Sequence, residues 1–189
     1  MSATSAPFGL RPAFHPSGLD RAQALAGGIT STYSSNIFKG QPVLYSASAG
    51  VIIPVTTTGA WSGAFAGVEW TDTTGRRRVS NYWPASTAGT AIVAYFYNDL
   101  NIVYEIQANG SLDQTSVGDQ ANLSNTTSGS NTTGLSQCPL STTLAGAGNT
   151  AQMLIRDLAP YPDNAWGDAY TVVRVTINKS QYNATVNAI

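Results

Sequence analysis

YFYNDLNIVYEIQANG, residues 95–110, decides the fold class of this chain. Its two halves, 95–97 and 102–107, are aromatic and β-branched, the residue types that fit a pleated surface. A short polar piece, Asn98-Asp99-Leu100-Asn101, separates them. Asn109-Gly110 then closes the stretch with two residues that tolerate positive φ, a strong turn signal. The stretch reads as two strands joined by a short polar turn.

The same signature recurs on both sides. Upstream, strand candidates cover 37–45, 51–55, 65–70, 78–83 and 90–97, each bounded by Gly, Asn, Asp or Ser. Downstream, 151–158 and 170–178 are the strongest, and YTVVRVTIN (170–178) alternates and is Val-rich. Between these two, PYPDNAWGD holds two prolines and a glycine and predicts a tight, irregular connection. No segment predicts a helix of three turns. Many short strands with turn signals predict an all-β protein, a β-sandwich or jelly-roll-like body.

Two segments depart from this pattern. Residues 113–150 are rich in Ser, Thr, Asn and Gly, and read as loops around one or two weak strands, such as 119–123. Leu123, Leu135 and Leu140 look buried and predict that the stretch is tied down. Residues 1–36 carry Pro7, Pro12 and Pro16 with several glycines, and read as an extended N-terminal arm. A helical turn over 20–26 is the one weak alternative there. Phe8, Leu10 and Phe14 alternate along the arm, so one face of it needs burial. A neighbouring subunit or the chain's own domain would serve. The division expected is an arm at 1–36 and a single body at 37–189.

Composition limits the chemistry. The chain has 189 residues, of which 42% are hydrophobic and only 10% charged. That length suits one domain with its own core. Nine basic and ten acidic side chains give a net charge of −1, without the basic excess of a nucleic-acid binder. One Cys, Cys138, excludes an internal disulfide, and with one His, His15, the usual zinc or iron ligand sets are missing. No run approaches the ~20 apolar residues of a membrane-spanning helix. The opening residues show no secretory signal, so the chain is expected to be made in the cytoplasm. No cofactor is expected.

Candidate sites are few. A catalytic His15 or Cys138 would need an orienting partner that the neighbouring sequence does not supply. Glu69 and Glu105 fall in strand candidates and are the pair a two-carboxylate hydrolase would use if they converged. Asp163, Asn164 and Asp168 could supply oxygen ligands in one loop, but without the EF-hand spacing. Trp61, Trp70, Trp83 and Trp166 could stack on sugars or fill the core. Arg76-Arg77-Arg78 is the only charge run, either a solvated turn or a grip on a partner's acidic groups.

Several of these segments together resemble small head-decoration, or cement, proteins of tailed bacteriophages. The segments are APFGLRPAFHPSG (6–18), Phe38-Lys39-Gly40-Gln41-Pro42-Val43, Phe65-Ala66-Gly67-Val68, residues 95–110 and MLIRDLAPYPDNAWGDAYTVVRVTINKSQY (153–182). The resemblance spans most of the chain and is loose over 111–150. It implies a non-enzymatic β-sandwich on the exterior of a virion. Its expected partners are the major capsid protein and further copies of itself, as dimer or trimer, with neither nucleic acid nor membrane. The expected contacts are Pro7, Phe8, Leu10, Arg11, Pro12 and Phe14 of the arm, with Arg76, Arg77 and Arg78. Two other readings stand beside it: a carbohydrate- or host-surface-binding sandwich, and a small two-carboxylate hydrolase.

Overall fold

The structure is a computed structural model, and it describes residues 2–18, 21–56 and 58–183. Twelve strands run in chain order as β1 (Arg11–Phe14), β2 (Gln23–Ala26), β3 (Pro42–Tyr45), β4 (Ile52–Pro54), β5 (Gly63–Thr71) and β6 (Arg77–Ser80). They continue as β7 (Thr90–Tyr97), β8 (Val103–Gln107), β9 (Gln120–Leu123), β10 (Leu140–Leu144), β11 (Met153–Leu158) and β12 (Val172–Ile177). Among the described residues a single 3-10 turn spans Gln114–Ser116.

The strands form two antiparallel sheets, as an all-β sandwich requires. One has the order β1-β8-β12-β11-β9-β10. The other has β2-β7-β5-β3-β4, with β6 added beside the second half of β5. Tyr104, Ile106, Val173, Val175, Met153 and Leu140 from the first sheet pack with Trp61, Ala64 and Val55 from the second region to form the core between the sheets. The second sheet is buried on its other face too. Val43, Phe65, Ala94 and Phe96 pack there under Ile29, Ile37 and Trp83, which come from connecting segments. Strict hydrophobic–polar alternation is therefore lost in this sheet, because both faces exclude water.

β7 and β8 do not form the hairpin that 95–107 suggests. β7 pairs with β2 and β5, whereas β8 pairs with β1 and β12. Residues 98–102 instead carry the chain from one sheet to the other. Asp99 shapes it by accepting a hydrogen bond from the Asn101 N–H at 2.8 Å.

The N-terminal segment corrects the expected division at residue 37. Residues 2–14 do not leave the body. Ser2 and Ala6 bond to the Tyr170 N–H and the Gln107 side chain, and Arg11–Phe14 pairs with β8. Leu10 is 2% exposed, in the core between the sheets. Gly9 permits the turn into this position: its φ is +73°, and a Cβ there would lie 2.6 Å from the Gly40 carbonyl oxygen. In place of a helical turn, Gln23–Ala26 forms an edge strand of the second sheet; Asp20 lies outside the described residues. An extended segment with one apolar face has found its burial on its own domain.

Candidate functional site

The expected contact residues separate into two places. Phe8, Leu10, Arg11 and Pro12 gather at the β1 edge of the sandwich. There they line an apolar pocket of about 260 Å³ with Lys39, Tyr97 and Leu135. Four stretches of backbone knit it together. The Leu10 N–H donates to the Gly40 carbonyl at 2.8 Å, and the Gly40 N–H to the Phe65 carbonyl at 2.7 Å. Lys39 accepts from the Ser136 N–H at 2.9 Å and donates its own N–H to Gly134 at 3.0 Å. Leu135, expected to be buried, is 39% exposed on the rim, whereas Leu123 and Leu140 are buried. Arg11 and Lys39 add two cations beside the apolar floor. The shape and chemistry suit an apolar side chain with a carboxylate next to it.

Arg11 is held in place by a row of charges. Glu105 on β8 stands opposite Arg11 on β1 and opposite Arg174 on β12. Glu105 Oε2 accepts from Arg11 at 2.8 Å and from the Tyr161 hydroxyl, and Arg174 Nε lies 3.6 Å from Oε1. Glu105 is nearly buried, with its side chain 9% exposed. The Arg11 guanidinium also lies over the Phe8 ring, 4.8 Å from its centroid. Pro7 is half-buried just before Phe8, and Phe14 is exposed at the far end of β1, beneath the Arg174 guanidinium at 5.3 Å.

Arg76–Arg78 lie elsewhere, on the β5–β6 hairpin, and two of the three are paired within it. Arg77 bonds Glu69 at 2.8 Å, and Arg78 bonds Asp72 at 2.7 Å. Asp72 also accepts from the Thr74 hydroxyl and the Arg76 N–H, which holds its carboxyl well below the usual range. Hydrogen bonds from Arg77 and from the Tyr95 hydroxyl likewise lower the Glu69 carboxyl. The run is thus largely neutralised by its own hairpin.

The remaining candidates have structural occupations. Glu69 and Glu105 sit in different sheets, each bound to arginine. His15 Nε2 meets Asp99 at 3.1 Å and ties the end of β1 to the inter-sheet crossing. Cys138 is fully buried, and burial pushes its thiol up to about 12. Asn164 uses its side chain as a substitute strand edge, bonding the N–H and carbonyl of Val172 and the carbonyl of Ala159. Asp168 accepts from the Ser2 hydroxyl and the Ala165 N–H. Among the described residues no cluster of three His, Cys, Asp or Glu is placed to hold a metal, and no helix is long and apolar enough to cross a membrane. Trp61, Trp70 and Trp83 are core residues, leaving Trp166 as the one half-buried indole.

Lys39, Tyr97 and Leu135 escaped the sequence reading as site residues. Each belongs to a different segment, and only the tertiary fold joins them. No family model, curated protein or solved structure matches this chain.

Proposed function

We propose that this protein is a non-enzymatic structural protein of a tailed-phage virion. It binds the capsid exterior and stabilises the shell by bridging major capsid protein subunits. The observation that carries this reading is the apolar pocket at the β1 edge with Arg11 and Lys39 beside it. Its walls come from 8–12 and 39–40, two of the segments on which the resemblance to phage decoration proteins rests. An apolar coat side chain flanked by a carboxylate would fill the pocket and meet both cations. Each such contact is small, but repetition over a symmetric shell multiplies it. A protein that binds only the assembled shell stabilises that shell by mass action.

The near-neutral charge is consistent with self-association into a dimer or trimer, since little self-repulsion opposes it. The commitment of Glu69 and Glu105 to arginines in separate sheets favours a binding role over two-carboxylate hydrolysis. The test is copy counting by mass spectrometry on purified virions of a phage encoding this chain. Hundreds of copies per particle are expected, reduced by a Leu135→Asp variant that stays folded. A handful of copies, or none, overturns the reading.

A further inference from the structure

A second cleft, about 340 Å³, opens on the outer face of the β1-β8-β12-β11 sheet, apart from the pocket above. Phe14, Pro16 and Leu100 give it an apolar wall, and Arg156, Arg174 and Thr176 give it a polar one. Arg156 is exposed, and Arg174 is half-buried beside Glu105. Arg156 Nε donates to the Thr176 hydroxyl at 3.1 Å, and Arg156 has no ion-pair partner among the described residues. Arg174 Nε is buried without a hydrogen bond, because 3.6 Å to Glu105 is too long for one.

Glu105 meets Arg174 by charge only, with Oε1 at 3.6 Å from Nε. Glu105 gives its Oε2 to Arg11 and Tyr161. Asp157 stands opposite Arg174 in register, but its Oδ1 turns back to accept the Leu158 N–H at 2.7 Å. Each arginine carries five donors in a planar fork, so the cleft holds a surplus of donors suited to a bidentate oxyanion.

The apolar wall narrows the ligand class. Phe14 is 44% exposed, and Arg174 lies over its ring. With Pro16 it offers a surface for the C–H face of a small ring. Asn101 and Asp157 line the same cleft and can bond hydroxyl groups. A bare phosphate would leave that wall unused. We propose that this cleft binds an acidic sugar of monosaccharide size, with its carboxylate on Arg156 and Arg174 and its ring against Phe14 and Pro16. The sugar is either a free uronate or the acidic terminus of a glycan.

The test is an amide-resolved NMR titration of the full chain at low ionic strength. Sodium glucuronate is compared with glucose and with sodium acetate. Glucuronate should shift the signals of Arg156, Arg174 and Thr176 and saturate, with a dissociation constant on the order of 1 mM, typical of so small a ligand. Glucose and acetate should each bind at least about tenfold more weakly, since each lacks one half of the recognition. Arg156→Ala, at an exposed side chain, should keep the melting temperature and lose about tenfold in glucuronate affinity. A glucuronate-terminated disaccharide that binds tighter than glucuronate assigns the glycan source; equal binding assigns the free acid. No saturable shift, equal binding of glucose, or unchanged binding by Arg156→Ala overturns the site. Equal binding of acetate overturns the sugar assignment, as does an acidic peptide that displaces glucuronate at lower concentration.

Discussion

Arg11 and Glu105 face each other across β1 and β8 and close to 2.8 Å, so the N-terminal segment is joined to the sandwich by both backbone and charge. Glu105 is nearly buried while Arg11 is half-exposed. The pair therefore marks the line where residues 2–15 join the sheet.

Removal of the segment should damage the body itself. Deleting residues 2–16 strips β1 from the edge of β8 and takes Leu10 out of the core. Leu10→Ala alone should cost about 2–5 kcal/mol, the usual range for a buried leucine. Urea unfolding followed by tryptophan fluorescence measures it. A truncated protein with an unchanged midpoint would show that the segment is dispensable.

The two strand glutamates should respond differently to loss of charge. Glu105→Gln leaves Arg11 and Arg174 facing one another across a nearly buried amide. A cost of about 3 kcal/mol is expected, the lower end for a broken buried pair because Arg11 reaches solvent. Glu69→Gln, on the open hairpin, should change stability far less, since exposed pairs are screened by water and salt. Parallel thermal melts of the two variants decide this, and equal losses would contradict it.

The Cys138 thiol should be inert in the native state. It is buried, and burial keeps it protonated to about pH 12. Labelling with a thiol reagent at pH 8 should be slow without denaturant and complete within minutes in molar urea above the unfolding midpoint. Fast labelling of the folded protein would mean that the interior opens at this point.

Acid should weaken the β5–β6 hairpin. The Asp72 carboxyl is lowered from 3.8 by Thr74, the Arg76 N–H and Arg78. Its contribution is therefore complete above the unfolded value and is lost as pH falls through the lower folded one. Carboxyl-carbon NMR should place the Asp72 midpoint below the ordinary aspartate range. An Asp72→Asn variant should show a shallower decline in melting temperature below pH 4 than the parent. A normal midpoint would mean that the turn does not hold the carboxylate.

Strand positions from residue 37 onward were largely legible, because β-branched and aromatic runs between turn residues are a local property. Thr90–Tyr97 has the bounds expected of it. The expected 37–45 strand shortens to Pro42–Tyr45, because Ile37 and Lys39 make isolated bridges to Trp83 and Leu135 instead. β10, Leu140–Leu144, was hidden: its Ser and Thr residues sit on a sheet edge where water satisfies them, so no apolar period appears.

The amino-acid sequence by itself determined the all-β class, the absence of a disulfide within these residues and most strand positions. Each of these follows from residue type and spacing within a few neighbours. The tertiary structure alone decided that β7 and β8 part into different sheets and that the N-terminal segment lies on its own body. It alone brought Leu10, Lys39, Tyr97 and Leu135 to one pocket. The physical reason is that alternation tells a strand which of its sides is apolar, but not which apolar surface will cover it. That choice depends on contacts between residues far apart in the chain, such as Arg11 with Glu105 and Lys39 with Leu135.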